Sequence, residues 1–273
     1  MNIRRIGAAA AAVSLALGLS ACGSDDGGDG GNQLKVGIKF DQPGLGLKEG
    51  NEYTGFDVDV ARYIAEKLGT AEDDIEWIQA PSAQRETLLE TGQVDMIVAT
   101  YSITDSRKEK VGFAGPYFIA GQDLLVRADD DSITGPDSLD GKRLCSVTGS
   151  TSAQTVKEQV PGVNLQEFGT YSECVSALVS NAVDALTTDD TILAGYASQD
   201  QYQGQLKVVG APFTEERYGV GIAKGDTEKC EQINEAIREM ISDGSWDTAV
   251  EENLGAAGFT PGEGNPPEPD ACA

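Results

Sequence analysis

A twelve-residue unit occurs twice in this chain without a gap. Leu89-Glu-Thr-Gly-Gln-Val-Asp-Met-Ile-Val-Ala-Thr100 aligns on Leu178-Val-Ser-Asn-Ala-Val-Asp-Ala-Leu-Thr-Thr-Asp189. Each copy reads as a helix end, a tight turn and a Val-Asp strand. Any fold must build this unit twice and leave Thr100 and Asp189 at equivalent strand ends. The flanking sequence has the same character. Leu34–Phe40 predicts a strand, and Phe56–Leu68, apolar at Phe56, Val60, Ile64 and Leu68 with Gly69 after it, predicts a helix. Ile75–Gln79 (strand), Ala83–Thr91 (helix) and Val94–Thr100 (strand) complete a βαβαβ half. The pattern restarts at Arg143–Val147 (strand) and runs through Ser152–Gln159 (helix), Val163–Phe168 (strand), Ser172–Asn181 (helix), Val183–Thr188 (strand) and Asp190–Gln199 (helix). The expected fold class is α/β: two lobes, each a mostly parallel sheet flanked by helices, with ligands at the carboxyl ends of strands.

Segments 120–124 and 214–218 read as crossings between the lobes. Lobe 1 is then 34–119 with 219–273, and lobe 2 is 125–213. Two such hinge strands allow closure around a ligand. Helices Thr227–Ser242 and Trp246–Leu254 are expected to return to lobe 1.

The first 22 residues are an address. Arg4 and Arg5 precede an apolar run to Leu19, too short to span a bilayer comfortably, and Leu-Ser-Ala-Cys22 has the form of a lipobox. Cys22 is expected to carry the lipid. Residues 23–33, rich in Gly and Asp, have the composition of a flexible tether. The formal charge of -25 becomes two units more negative when Arg4 and Arg5 are removed, so an acyl chain, and not attraction to anionic lipid, would hold the protein at the membrane.

Several function classes are excluded. Asp+Glu outnumber Lys+Arg 45 to 20, the wrong field for nucleic acid. Histidine is absent, which removes Ser-His-Asp and Cys-His catalysis and His-ligated zinc. No phosphate loop is present, and no cofactor or metal is expected. Export implies an oxidising compartment, so Cys145, Cys174, Cys230 and Cys272 read as two disulfides. Of the three pairings, Cys145–Cys174 with Cys230–Cys272 keeps each bond within one lobe. The second bond would pin the tail from Pro261 onto a helix.

Thr148-Gly-Ser150-Thr151-Ser152 follows a strand and opens a helix, a place suited equally to a small carboxylate or to plain capping. Ser102-Ile-Thr-Asp105-Ser-Arg107 is its counterpart, with Asp105 placed to cap. Arg107 lies in a first turn, where the helix dipole disfavours a cation and a bound anion would justify one.

Gly55-Phe-Asp57-Val-Asp59, Ile103-Thr-Asp-Ser-Arg107, Phe113-Ala-Gly-Pro-Tyr-Phe118 and Asp189-Asp-Thr-Ile-Leu-Ala-Gly195, in that order, resemble the polar amino-acid group of type-2 periplasmic solute-binding proteins. With the lipobox, the chain is similar to the glutamate-binding lipoproteins of actinobacterial ABC importers. The resemblance covers Leu34 to Leu254 and implies a monomeric, non-enzymatic receptor on the outer face of the plasma membrane, delivering its ligand to a permease. It places a carboxylate clamp on Arg107 and helper hydroxyls on Thr100, Ser102 and either Ser150 or Thr151. The ammonium acceptor falls on Asp189.

Lys39 and Arg85 match basic positions of acidic-amino-acid binders, which selects L-glutamate, with aspartate as a second ligand. Glutamine would leave those charges unpaired in a closing cleft. The aromatic wall common in the family is replaced by Ser82 at one position, leaving Phe40 or Tyr101 to supply it. The alternatives are a receptor or sensor for glutamine or another polar amino acid, and an enzyme of this fold such as a dehydratase using Asp41 or Asp190.

Overall fold

The structure, a computed structural model, describes residues 33–272. The leader, Cys22 and the tether up to residue 32 lie outside the described residues. From the first described strand the order is β1 (Leu34–Ile38), a meander of β2 (Asp41–Gln42), β3 (Gly46–Glu49) and β4 (Glu52–Thr54), then α1 (Phe56–Lys67), β5 (Ile75–Gln79), α2 (Arg85–Glu90), β6 (Met96–Ile97), α3 (Asp105–Lys108) and β7 (Gly112–Ala120). A second half follows: β8 (Gln122–Arg127), β9 (Arg143–Val147), α4 (Thr151–Gln159), β10 (Asn164–Phe168), α5 (Tyr171–Val179), β11 (Ala185–Asp189), α6 (Asp190–Ala197) and β12 (Leu206–Val208). The chain then adds β13 (Glu216–Ile222), α7 (Thr227–Ser242) and α8 (Ser245–Leu254).

The two five-stranded sheets run β5-β1-β6-β13-β7 and β10-β9-β11-β8-β12. In each, the three strands of the βαβαβ unit are parallel, and one further strand, β13 or β8, runs antiparallel to both of its neighbours. The antiparallel pairs belong to the strands by which the chain leaves one sheet and returns to it. Strand pairing continues up to the crossings: Ala120 pairs with Glu216, and Gln122 with Asp189. Of segment 120–124, therefore, only Gly121 lies between strands, and of 214–218 only Thr214 and Glu215 precede β13. The crossings are tied together, since Phe213 N–H donates to the Gln122 carbonyl at 2.9 Å and Gln122 N–H to Thr214 Oγ1 at 3.2 Å.

The helix end and turn of the repeated unit are built alike in both halves, while its strand is two residues long in the first and five in the second. The turn residues Gly92 and Asn181 take φ of 65° and 60°, in the left-handed region that closes a helix. Asp95 accepts from Lys35 N–H at 2.8 Å and Asp184 from Arg143 N–H at 2.9 Å. Each acid thus secures the first parallel strand of its own sheet.

Core formation follows the apolar spacing. Phe56, Val60 and Ile64 of α1 are buried, and Phe56 meets Tyr117, Phe118 and Trp246 at ring separations of 5.4–6.0 Å. Trp246 brings α8 back onto β7 by donating to the Tyr117 carbonyl at 2.8 Å. Among the described residues no helix is long and apolar enough to cross a membrane.

Both disulfides form with the expected pairing, Cys145–Cys174 and Cys230–Cys272. They close loops of 29 and 42 residues. Chain-entropy arguments put about 3–4 kcal/mol on each. The double variant Cys145→Ala/Cys174→Ala is therefore expected to lose stability of that order in a urea titration. A midpoint equal to that of wild type would refute it.

Candidate functional site

Most of the expected residues converge where the carboxyl ends of the two sheets meet. Lys39 follows β1, and its Nζ donates to Ser82 Oγ at 2.7 Å. Arg85 opens α2 and donates to the carbonyls of Ala99 and Thr100 at 2.9 and 3.4 Å. Arg107 donates from Nη1 to the Ser102 carbonyl at 2.7 Å, and from Nη2 across to the Gly149 carbonyl of the second half at 3.1 Å. All three cations are at least nine-tenths buried. Arg85 and Arg107 lie over the Tyr101 ring, 4.1 and 4.9 Å from its centroid, which offers a π-face to charges removed from water.

Gathering cations in a buried place shifts their titration. Burial, then repulsion from Arg85, lowers Lys39 to about 7. Burial and Arg107 lower Arg85 to about 10, leaving it charged at neutral pH. Arg85 Nε and Gln42 Nε2 are buried donors with no partner. The cluster has more donor capacity than the protein around it consumes.

Thr100 lies at the centre of this arrangement with φ of 45°, a strained backbone for a β-branched residue. Its N–H is held at 2.9 Å by Asp57, whose other oxygen accepts from Tyr117 Oη at 2.6 Å. Burial raises the Asp57 carboxyl to about 6. Ser102 and Thr151 meet across the two halves at 3.4 Å, and Thr151 donates to Glu216 at 2.9 Å. Ser150 is the N-cap of α4, accepting from Ala153 N–H at 3.0 Å, so its hydroxyl performs capping.

The second half supplies negative charge. Asp189, buried at the end of β11, accepts from Tyr218 Oη at 2.7 Å and Ser152 Oγ at 3.4 Å. Burial first, and then the neighbouring Glu216, push its carboxyl far above the usual carboxylate range. Tyr171 lies in the fields of both Asp189 and Arg85. Buried cations therefore belong to the first half of the chain, and buried Asp189 to the second.

Some expectations are corrected. Thr104, and not Asp105, caps α3, accepting from Arg107 N–H at 3.3 Å. Helix α3 has a single turn, so the dipole argument for Arg107 loses its basis, and the carbonyls and Glu86 around the guanidinium account for its place. Tyr101 lies beneath the arginines and donates to Glu86 at 2.8 Å, while Phe40 packs tilted against Tyr53 under Lys48. Asp41 and Asp190 accept backbone N–H groups, from Tyr171 and Thr191 respectively. Among the described residues no group of acids or cysteines is arranged to hold a metal.

The sequence alone assigned no role to Asp57, Gln42, Tyr117, Glu216 or Tyr218, and Ser152 supports Asp189 where the sequence had offered it to a carboxylate or a cap. A signal existed for Asp57: with Val60, Ala61 and Ile64 it completes an i, i+3, i+4, i+7 stripe, placing an acid on the buried face of α1.

Residues 34–256 match the family model of bacterial extracellular solute-binding proteins, family 3. The chain is 50% identical to the glutamate-binding protein GluB of Corynebacterium efficiens, over 97% of this chain and 96% of that one. It is 37% identical to the ABC transporter glutamine-binding protein GlnH of Bacillus subtilis, over 79% of each. Among solved structures, an ancestral arginine-binding protein bound to glutamine superposes with a TM-score of 0.76 at 37% identity, over 82% of this chain and 98% of that one.

Proposed function

We propose, for a chain that belongs to the bacterial extracellular solute-binding proteins of family 3, that it captures L-glutamate between its two halves and delivers it to an ABC permease. The observation that carries this reading is that Lys39, Arg85 and Arg107 of one half and Asp189 of the other are all buried at or beside strand ends. Arg107 takes the α-carboxylate, Asp189 the ammonium, and Lys39 with Arg85 the second carboxylate. Thr100, Ser102 and Thr151 complete the polar lining, with Ser150 holding the α4 turn in place. The halves 34–119 with 219–273, and 125–213, close about the two crossings. The relatives are named as binding proteins, which supports a receptor and not an enzyme. It works outside the cytoplasm, as a monomer held at the membrane through Cys22. Aspartate is the second ligand.

Calorimetry with the full-length protein and glutamate, aspartate, glutamine and asparagine tests the reading. Glutamate is expected to bind far more tightly than glutamine, and equal affinities would place Lys39 and Arg85 outside the selective contacts. The preference carries a pH signature. Lys39 must be protonated to meet a second carboxylate, and burial has lowered it to about 7. The glutamate-to-glutamine ratio therefore falls as pH rises from 6 to 8, approaching about tenfold per unit above the Lys39 value. Lys39→Gln is expected to abolish that pH dependence. A ratio unchanged between pH 6 and 8 in wild type would show that Lys39 does not select.

A further inference from the structure

Asp41 takes no part in the charges assigned to the ligand, yet it bonds the two halves to one another. From β2, its Oδ2 accepts the N–H groups of Tyr171 and Ser172 at 3.0 and 3.3 Å, and the Tyr196 hydroxyl of α6 at 3.3 Å. The same hydroxyl donates to the Asp41 carbonyl. Helix α5 already has its own capping box: Thr170 Oγ1 accepts from Glu173 N–H, and Glu173 accepts from Thr170 N–H. Tyr171 and Ser172 are the first-turn donors the box leaves over, and Asp41 satisfies them at the positive end of a nine-residue helix.

A second observation points to the same docking. Gly195 lies inside α6, where a residue without a side chain weakens a helix. A Cβ built there would stand 2.1 Å from the Pro43 carbonyl oxygen, in the turn that follows Asp41. The missing side chain is what lets that turn seat on α6.

We propose that Asp41, with the turn it introduces seated on Gly195, is a closure latch: a contact between the halves that exists only in the closed form and touches no ligand. The inference rests on the reading of this chain as a receptor that closes on an amino acid. A contact confined to the closed form shifts the open–closed balance by the same amount whatever is bound. The seated turn is thus a positioning device, and uncharged Gly195 isolates its effect on affinity from the field that Asp41 exerts on Lys39.

Gly195→Ala separates a latch from a structural residue, because alanine is the better helix former and the clash arises only on closure. The full-length variant is expected to melt no lower than wild type without ligand. It is expected to bind glutamate, aspartate and glutamine more weakly by one common factor, about tenfold, through faster dissociation. In the glutamate-bound protein, Asp41→Asn is expected to weaken binding and to speed amide hydrogen exchange at Tyr171 and Ser172. Unchanged affinity in Gly195→Ala, or a loss confined to one ligand, overturns the latch. A wild type that binds no amino acid refutes the receptor reading instead. The latch is then decided by exchange in the ligand-free protein: slowed at Tyr171 and Ser172 in wild type and released in Asp41→Asn supports it, and fast in both overturns it.

Discussion

Arg107→Ala is expected to weaken glutamate binding by about 3–5 kcal/mol, roughly two to four orders of magnitude in affinity, because a ligand carboxylate would be left buried without its cation. The guanidinium is buried and held by the Ser102 and Gly149 carbonyls and by Glu86, which fixes its plane. Each terminal nitrogen keeps a second N–H, and that pair forms the fork that suits a carboxylate. Arg107→Lys keeps the charge and loses the fork, so an intermediate loss is expected. Calorimetry accompanied by a melting curve separates binding from folding, since the substitution also frees two carbonyls. Glutamate affinity within tenfold of wild type in a folded Arg107→Ala protein would remove Arg107 from the site.

A loss of the same order is expected for Asp189→Asn, with a proton signature in wild type that the variant lacks. Burial and Glu216 raise the Asp189 carboxyl, so part of the population carries a proton near neutral pH. The ligand ammonium favours the ionised form, so binding must expel that proton. Affinity therefore falls as pH is lowered from neutral toward the ordinary carboxylate range. Lys39 shifts in the opposite direction and takes up a proton when a second carboxylate binds above about pH 7. Titrations at pH 6 in buffers of different ionisation enthalpy should show net proton release for wild type and none for Asp189→Asn. Equal proton counts in the two proteins would mean that Asp189 does not meet the ammonium.

Much of the fold is legible because it rests on local rules. Ile75–Gln79, Arg143–Val147 and Thr227–Ser242 stand where strand and helix periodicity puts them. The Val-Asp echo forecasts two equivalent strand ends, and Asp95 and Asp184 make the same backbone contact in both halves. Strand β6 is the exception. An apolar run from Val94 to Thr100 reads as one long strand, but pairing is confined to Met96–Ile97. The chain beyond leaves the ladder, and Asp57 and Arg85 hold Thr100 in a strained turn. No local preference encodes that departure, because the groups imposing it come from α1 and α2.

The site divides in the same way. Position alone drew attention to Arg107 in a first turn and Asp189 at a strand end, whereas Lys39 and Arg85, and the ligand roles of all four, came from the family resemblance. What each of them touches was decided by tertiary structure. Arg85 reaches the Tyr101 ring from α2, and the bond of Lys39 to Ser82 and the clamp of Tyr218 on Asp189 join elements far apart in the chain. So does the seat of Asp41 on α5. By itself the sequence determined the two sheets, the strand ends at which charge collects and the cysteines available for pairing, because periodicity and turn chemistry act over a few residues. Only the tertiary structure decided how those charges are desolvated and shared between the halves. Desolvation and hydrogen-bond partners depend on every element packed around a group, and no short stretch of sequence contains them.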